Sequence, residues 1–333
     1  MKKETKEETD KVEDALSKLQ KKYGNDVLMQ MDKDTDFKVE WFSTGSFALD
    51  EVIGKGLPKG RIIEVFGAES SGKSTMSLFL MAQIQKAGGR VALIDAENAF
   101  DGAYASNIGL DISKLLVSQP QTLEEAFDIM KALIDTGEMD MIVVDSVSAL
   151  VPKSAFESEE MLKDTMAVQA RLMSKGLPLL SGPISKTKTI LIFINQIRDK
   201  VGVFYGAKTT TSGGRALKFY SSVRLEVAKG GKLEGKGDVQ IGNEIIVKAA
   251  KNKVGFPWKA AKIDLYYARG LDLHADTLDF GEKVGIIKKV GITYSYDNIV
   301  LGVGREKARQ TLVEDEILYQ KIREAITKKN DEK

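Results

Sequence analysis

The sequence predicts an α/β fold: a mostly parallel central sheet with an antiparallel extension, preceded by one helix and followed by a small α+β domain. Between residues 60 and 195, short apolar runs alternate with longer helical segments, which is typical of parallel strands covered on both faces. Three more apolar runs follow between residues 222 and 270 without a helical pattern between them, and they predict the antiparallel extension. The predicted parts are an N-terminal helix and linker (1–36), a core (37–271) and a C-terminal domain (272–333).

The composition is that of an ordinary globular protein, with 43% hydrophobic and 29% charged residues in a chain of 333. The chain contains no cysteine, which excludes disulfide bonds, cysteine-ligated zinc and iron–sulfur clusters. Its first 24 residues are charged throughout, unlike a signal peptide, and no apolar run approaches the ~20 residues of a membrane span. We therefore expect a soluble cytoplasmic protein without a membrane partner.

The start of the chain predicts an amphipathic helix, because apolar side chains recur there at intervals of three or four residues. These side chains are Val12, Ala15, Leu16, Leu19 and Tyr23. The stripe must be buried, so we expect it to pack on the protein's own core or on a neighbouring molecule.

The core elements follow in chain order. Continuous apolar runs predict strands at 60–67, 90–97, 139–146 and 189–195, and helical patterns predict helices at 74–89 and 122–137. Thr122 and Glu125 predict a capping box at the start of the second helix. The later runs at 222–230, 243–251 and 260–270 predict the antiparallel strands. Beyond Gly270 a weaker pattern predicts a helix, a small hairpin and another helix, and we expect the single His274 to have a structural role.

A phosphate-binding motif lies between the first core strand and its helix. The segment "GAESSGKST" matches G-x-x-x-x-G-K-[ST], whose glycines let backbone N–H groups approach phosphates at the start of a helix. Lys73 would neutralise the β- and γ-phosphates, and the Ser74 hydroxyl would bind Mg²⁺. The motif predicts a nucleotide site formed by Gly67, Ala68, Glu69, Ser70, Ser71, Gly72, Lys73, Ser74 and Thr75.

Two acidic residues follow buried strands on the same predicted edge of the sheet. Asp145 ends "MIVVD", where a carboxylate would hold Mg²⁺ through water. Glu97 ends "VALIDAE" and is a candidate general base for the attacking water. Each acid alone is a weak signal, but the carboxyl ends of parallel strands meet at the edge that carries the phosphate loop.

The stretch at residues 196–218 is too long for an ordinary turn, and its Gly, Thr and Lys content argues against continuation of the preceding strand. Residues 186–218 carry seven basic residues against the single Asp199. This local charge could face phosphate, or it could simply keep a solvated loop soluble.

Ordered segments along most of the chain, from about residue 12 to about 300, resemble the RecA family of bacterial recombinases. They are "STGS" (43–46), "LPKGRIIEVFGAESSGKST" (57–75), "LIDAENAFD" (93–101), "VSQPQT" (117–122), "IVVDSVSALVPK" (142–153), "LIFINQIR" (191–198), "TTTSGGRALKFY" (209–220) and "KNK" (251–253). The resemblance implies a RecA-type ATPase core and head-to-tail helical filaments on single-stranded DNA. It also implies pairing and strand exchange with double-stranded DNA, with ATP and Mg²⁺ as cofactors and with loader and single-strand-binding proteins as possible partners.

The resemblance also implies roles for individual residues. Glu97 matches the catalytic glutamate, Asp101 and Tyr104 match adenine contacts, and Lys251 and Lys253 match lysines that reach ATP from the adjacent subunit. Gln196 matches the residue that senses the γ-phosphate and begins the second DNA-binding loop. Leu16, Leu19, Lys218 and Phe219 are expected at the subunit interface.

The expected DNA-binding residues are Arg171, Arg198, Lys200, Gly202, Val203, Tyr205, Lys208, Thr210, Thr211, Gly213, Gly214 and Arg215. The glycines of the second loop are expected to give it freedom, and the first DNA loop should lie at 156–165. The chain departs from the family pattern at Asn98, Thr209 and Arg215, in a longer first loop, and in lacking a long acidic tail.

Two other functions remain open on the sequence. A ring helicase motor or a RadA-like branch-migration ATPase could use the same core, although the chain lacks a cysteine-based zinc module and has only about 36 residues before the core. A DNA-coating scaffold with vestigial hydrolysis is the third reading, which the intact set of Lys73, Ser74, Glu97 and Asp145 disfavours.

Overall fold

The computed structural model describes residues 4–24, 38–157, 165–199 and 209–332. The chain divides into two compact units, residues 1–39 and 40–333. In the first unit, helix α1 spans Glu4–Tyr23. Along its predicted stripe, Leu16 is half-buried and Leu19 is 38% exposed.

The second unit alternates strands and helices, as the sequence predicts. Its elements up to residue 199 are β1 (Trp41–Phe42), α2 (Phe47–Ile53), β2 (Leu57–Pro58), β3 (Ile62–Gly67), α3 (Lys73–Lys86), β4 (Val91–Asp95), α4 (Gly102–Ile108), β5 (Leu115–Ser118), α5 (Leu123–Asp135), β6 (Met141–Asp145), α6 (Ser154–Glu157), α7 (Thr165–Thr187) and β7 (Ile190–Asp199). The following elements are β8 (Thr209–Thr211), α8 (Ala216–Tyr220), β9 (Val223–Glu234), β10 (Gln240–Asn252), β11 (Ala260–Tyr266) and β12 (Gly270–Leu271).

The central sheet of the described chain has ten strands. Nine of them run in the order β12-β11-β10-β9-β3-β7-β6-β4-β5, and β8 pairs with β7. The neighbours from β9 to β5 are parallel, whereas β10, β11 and β12 add antiparallel strands beyond β9. The predicted parallel sheet with an antiparallel extension is therefore confirmed, with the change of direction after β9, because β9 lies parallel to β3.

The predicted end of strand β7 is wrong. The strand continues to Asp199, and β8 returns to pair with it, Ile197 opposite Thr211 and Asp199 opposite Thr209. Backbone pairing between the two ends of the segment overrides its weak strand propensity, because a ladder satisfies the polar groups that a loop leaves exposed. Residues 196–199 and 209–211 of the predicted irregular stretch are therefore strand residues.

Helices cover both faces of the sheet. Helix α3 lies in a core with Leu49, Ile63 and Leu225, and α5 and α7 pack on the other face around Phe193, whose side chain is 0% exposed. Burial of such a side chain contributes about 1.5–3 kcal/mol. At the start of α5 the Thr122 hydroxyl accepts the Glu125 N–H at 3.2 Å, which confirms the predicted cap. The Glu125 carboxylate reaches back to the N–H of Gln121 at 2.8 Å, one residue before the cap.

The C-terminal domain contains α9 (Leu273–Lys283), β13 (Lys288–Val290), β14 (Thr293–Tyr296), β15 (Ile299–Val303), α10 (Arg305–Glu314) and α11 (Glu316–Asp331). Its three strands form an antiparallel sheet where a two-stranded hairpin was predicted; β15 is the additional strand. The His274 ring lies 4.3 Å from the Tyr319 ring, and burial lowers the pKa of His274. None of the helices in the described ranges combines the length and apolar character that a bilayer span requires.

Asp276 joins this domain to the core. Its carboxylate accepts hydrogen bonds at the start of α2, from the Ser46 hydroxyl at 2.7 Å and the N–H groups of Phe47 at 2.7 Å and Ala48 at 3.2 Å. Burial raises the pKa of Asp276 to about 6, although these bonds act in the opposite direction. One side chain therefore satisfies the donors at a helix end more than 200 residues away in the chain.

Candidate nucleotide site and DNA-facing segments

The phosphate loop follows β3, a strand whose residues are all buried. Gly67 passes so close to β9 that a Cβ there would lie 2.1 Å from the Val227 carbonyl oxygen. Gly72, with φ 92°, takes the left-handed conformation immediately before α3. Both motif glycines are thus required by the backbone path, since a side chain at either position would clash or strain the turn.

Lys73 begins α3 and is only 7% exposed. Its ammonium group donates to the Ala68 carbonyl at 2.7 Å across the loop. Burial lowers the pKa of Lys73, while the charges of Asp145, Glu97 and Glu69 act in the opposite direction. A partly desolvated ammonium group at a helix start is suited to bind phosphate.

The residues present fit a nucleotide with Mg²⁺. The Ser71 hydroxyl is buried and lacks a hydrogen-bond partner among the described residues, so a donor remains available in the loop. Ser74 and Asp145 line the same cavity, and a hydroxyl beside a carboxylate supplies the hard oxygen donors that Mg²⁺ prefers. The pKa of Asp145 is raised to about 6, chiefly by burial and also by the charges of Glu97 and Asp95, while Ser74 and Lys73 act in the opposite direction.

Glu97 lies two residues beyond the end of β4, and a buried acid shapes its loop. Asp95 is 3% exposed and accepts hydrogen bonds from the N–H of Phe100 at 3.0 Å and from the Gln119 amide at 3.0 Å. The Ala96 N–H donates to the Asp145 carbonyl at 2.7 Å, which ties the loop to the neighbouring strand. The backbone that carries Glu97 is therefore fixed before substrate binds.

The Glu97 carboxylate accepts hydrogen bonds from two neighbouring parts of the sheet, the residue after β6 and a residue of β7. Its Oε1 accepts a hydrogen bond from the Ser146 hydroxyl at 2.6 Å and from the Gln196 amide at 3.2 Å. The parallel register places Gln196 directly opposite Gly67, the first residue of the phosphate loop. The predicted catalytic acid, the predicted phosphate sensor and the phosphate loop thus meet at one sheet edge.

Asp101 and Tyr104 lie on the same side as the phosphate loop. Asp101 caps α4 by accepting the N–H groups of Ala103 at 2.9 Å and Tyr104 at 3.0 Å. The Tyr104 hydroxyl lies 2.6 Å from the Thr75 hydroxyl. A cavity of about 170 Å³ is lined by Ser74, Glu97, Asp101, Tyr104 and Asp145 together with apolar side chains.

Part of the predicted DNA-binding surface lies outside the described residues: Lys200, Gly202, Val203, Tyr205 and Lys208, and positions 158–164 of the first loop. The backbones of Arg198 and Thr210 belong to the β7–β8 pair. Arg171 on α7 and Arg215 before α8 are exposed. Thr211, in contrast, is only 5% exposed, because its strand lies against the core.

Gly213 and Gly214 are packed rather than free. Both have positive φ, 79° and 73°, and a Cβ on Gly214 would lie 2.7 Å from the Ala170 side chain on α7. The prediction that these glycines supply freedom is wrong for this pair, because they allow a tight turn against a helix.

The side chain of Asn195 is hydrogen-bonded to the backbone on both sides of the β7–β8 pair, at Gln196 and Ser212. It is 0% exposed, and its amide donates to Glu64 and to the Ser212 carbonyl, each at 3.0 Å. Its oxygen accepts the N–H groups of Gln196 at 3.0 Å and Ser212 at 3.2 Å. One buried amide therefore holds both Gln196, where the predicted DNA-binding segment begins, and Ser212, near its end.

Lys251 and Lys253 lie at the C-terminal end of α8. Lys251 donates to the carbonyls of Lys218 at 2.5 Å and Phe219 at 3.0 Å, and Lys253 to that of Phe219 at 3.3 Å. Burial, with the charges of Lys253 and Arg224, lowers the pKa of Lys251 to about 8. The Phe219 side chain is 68% exposed.

Sequence reasoning missed four residues of this site: Asp95, Ser146, Ser148 and Asn195. Each lies inside a segment that was recognised, within three residues of a predicted site residue. A buried polar residue at a strand end is the signal that could have found Asp95 and Asn195, since such groups require partners.

Family models match both parts of the chain: the RecA N-terminal domain over residues 10–272 and the RecA C-terminal domain over 275–331. The chain belongs to the RecA family. Protein RecA of Lactobacillus acidophilus is 50% identical over 313 residues, covering 94% of this chain and 86% of that protein. Protein RecA of Bacillus subtilis is 47% identical over 313 residues, covering 94% and 89%.

A solved RadB recombinase structure shares the fold, with a TM-score of 0.51 and 22% identity over 69% of this chain and 97% of that one. As a RecA family member, the chain is a DNA-dependent ATPase that acts in recombination and repair. Proteins of this family bind DNA and form filaments.

Proposed function

We propose that this chain binds ATP with Mg²⁺ at the phosphate loop and couples its hydrolysis to single-stranded DNA held by residues 196–215 in a helical filament. The observation that carries this proposal is the hydrogen bond from Gln196 to Glu97. It joins the first residue of the DNA segment to the candidate catalytic carboxylate.

Each residue of the site has a distinct role in the proposal. The loop amides and Lys73 hold the phosphates, and Ser74 and Asp145 would hold Mg²⁺, which supplies electrostatic stabilisation of the phosphates. Glu97 accepts a proton from the attacking water through its carboxylate. Asp101 and Tyr104 border the position of the adenine.

Gln196 acts as the switch between nucleotide and DNA. Its amide contacts Glu97 in this structure, and it stands beside Gly67, where a terminal phosphate would compete for the same donor. A movement of this side chain pulls on the segment that begins at the same residue. Nucleotide occupancy thereby changes the order of the DNA-binding loop.

We further propose that the filament places the nucleotide between subunits. Lys251 and Lys253 would reach the phosphates of an adjacent copy, and Leu16, Leu19, Lys218 and Phe219 would lie in the interface. Head-to-tail contacts of this kind do not close and produce a helical filament. Double-stranded DNA would serve as the pairing partner, in the cytoplasm, with loader and single-strand-binding proteins as further partners.

The decisive measurement is steady-state ATP hydrolysis with and without single-stranded DNA, at two salt concentrations. We expect strong stimulation that weakens as salt rises, because phosphate contacts release counterions. A rate of ATP hydrolysis that does not change when DNA is added would favour a helicase or branch-migration ATPase. DNA binding without any ATP hydrolysis would favour a DNA-coating scaffold.

Three variants assign the roles. Lys73→Ala should abolish ATP-dependent DNA binding, and Glu97→Gln should bind ATP and DNA but hydrolyse poorly. Gln196→Ala should keep basal hydrolysis and lose its stimulation, whereas Gln310→Ala, on the exposed surface of α10, should behave as wild type. Stimulation that survives in Gln196→Ala would refute the coupling.

A further inference from the structure

A chain of hydroxyl groups leads away from Glu97. The Ser146 hydroxyl donates to Glu97 Oε1 at 2.6 Å, and the Ser148 hydroxyl lies 2.7 Å from that of Ser146. Ser146 is 1% exposed, whereas Ser148 is half-buried and Glu97 is exposed, so the two ends of the chain are joined through one buried hydroxyl.

The donor and acceptor in each hydrogen bond of this chain of hydroxyl groups follow from the number of protons that each group can donate. A carboxylate only accepts hydrogen bonds, and a serine hydroxyl has a single proton to donate. Ser146 uses its proton on Glu97, so the proton between the two serines must come from Ser148. The sequence of donors is Ser148 to Ser146 to Glu97, and such chains polarise and orient their members.

The far end of the chain opens into a second cavity, of about 340 Å³, which lies against the return of the DNA segment. Its lining includes Ser148, Thr211, Ser212 and Gly213. The hydroxyls of Thr211 and Ser212 are buried and have no hydrogen-bond partner among the described residues. Ser148 therefore shares this cavity with a segment whose own buried hydroxyls lack hydrogen-bond partners among the described residues.

The position of Ser148 is fixed by α7. Ser148 lies in a single helical turn, Val147–Ala149, and the buried Gln169 amide donates to the carbonyls of Val147 at 2.8 Å and Leu150 at 2.9 Å. Helix α7 begins at Thr165, where the expected first DNA loop ends. Thr165 and Met166, at the start of α7, line the same cavity as Ser148.

We propose that Ser148 is a positioning residue for ATP hydrolysis. Its hydroxyl orients the Ser146 hydroxyl, which holds the Glu97 carboxylate in place, and this relay gives the DNA-facing wall a route to Glu97 that is independent of Gln196. The inference rests on the proposed role of Glu97 as the base.

The test compares Ser148→Ala with Ser148→Thr, which keeps a hydroxyl, and with the control Ser181→Ala, whose hydroxyl donates to a carbonyl of its own helix at 3.1 Å. Loss of one neutral hydrogen bond in the relay should lower kcat with saturating single-stranded DNA by about three- to tenfold. We expect the KM for ATP, the affinity for a labelled oligonucleotide and the Tm to stay unchanged in Ser148→Ala. Ser148→Thr should recover most of kcat, and Ser181→Ala should match wild type.

Each other outcome overturns the relay. A wild-type kcat in Ser148→Ala removes the residue from catalysis, and equal losses in the Ala and Thr variants with a lowered Tm indicate packing. A selective loss of oligonucleotide binding makes Ser148 a DNA contact instead. Glu97→Gln separates the two proposals: retained turnover refutes the role of Glu97, whereas lost turnover beside a normal Ser148→Ala refutes the relay alone.

Discussion

Substitution of the buried Asn195 is the strongest test of how the structure holds the predicted DNA-binding segment, residues 196–218. Asn195→Asp preserves the shape and the oxygen that accepts the N–H groups of Gln196 and Ser212. It removes the two donated bonds, to Glu64 and to the Ser212 carbonyl, each 3.0 Å long. It also places a second carboxylate within hydrogen-bond distance of Glu64.

The expected change in the free energy of unfolding follows from these contacts. A hydrogen bond to a charged acceptor contributes about 1.5–3 kcal/mol and one to a carbonyl about 0.5–1.5 kcal/mol, so their loss should lower the free energy of unfolding by about 2–5 kcal/mol at neutral pH. Repulsion between the carboxylates adds to this, although the ion pair of Arg224 with Glu64 offsets part of it.

The loss of stability in Asn195→Asp should increase as the pH rises. Two adjacent carboxyls raise the pKa of one of them in the folded state, so the folded variant binds an extra proton that the unfolded chain has released. Its stability is therefore lost as pH rises through the raised pKa, and the difference from wild type should be larger at pH 8 than at pH 5.5.

Urea denaturation at several pH values, with DNA-stimulated ATP hydrolysis in parallel, measures both effects. Asn107→Asp adds the same charge at an exposed position and should change stability by less than about 0.5 kcal/mol. A variant Asn195→Asp as stable as wild type at pH 8, or a penalty independent of pH, would refute the reasoning.

Three further predictions concern other parts of the chain. Gly67→Ala should abolish nucleotide binding or folding, since its Cβ would lie 2.1 Å from the Val227 carbonyl oxygen. Equilibrium binding of a fluorescent ATP analogue measures the affinity, and a normal affinity would contradict the prediction. Asp276→Ala should lower the free energy of unfolding by about 2–4 kcal/mol, because one buried and two partly buried donors lose their acceptor. A smaller change in urea denaturation would contradict the role of Asp276 in joining the C-terminal domain to the core. With the pKa of Lys251 lowered to about 8, its charge is lost as pH rises through that value, so ATP-dependent filament assembly followed by light scattering should weaken above pH 8. Lys251→Arg should assemble without this dependence, since arginine stays charged, and identical pH profiles would exclude Lys251 from the contact.

The sequence alone determined the features that depend on local pattern. The phosphate loop, the buried strands around it and the acids that follow those strands are each written within a few consecutive residues. Their meeting at one edge follows from the rule that parallel strands place their carboxyl ends together. For that reason the sequence alone places Lys73, Ser74, Glu97 and Asp145 in one site.

Only the tertiary structure decided which groups touch across the sheet. Ser146 lies 49 residues from Glu97 and Gln196 lies 99 residues from it, so their hydrogen bonds to that carboxylate leave no local signal. The continuation of β7 to Asp199 depends in the same way on a partner strand that begins at Thr209. Local propensity describes one segment at a time, whereas a buried polar group is satisfied by whatever the fold brings within about 3 Å of it.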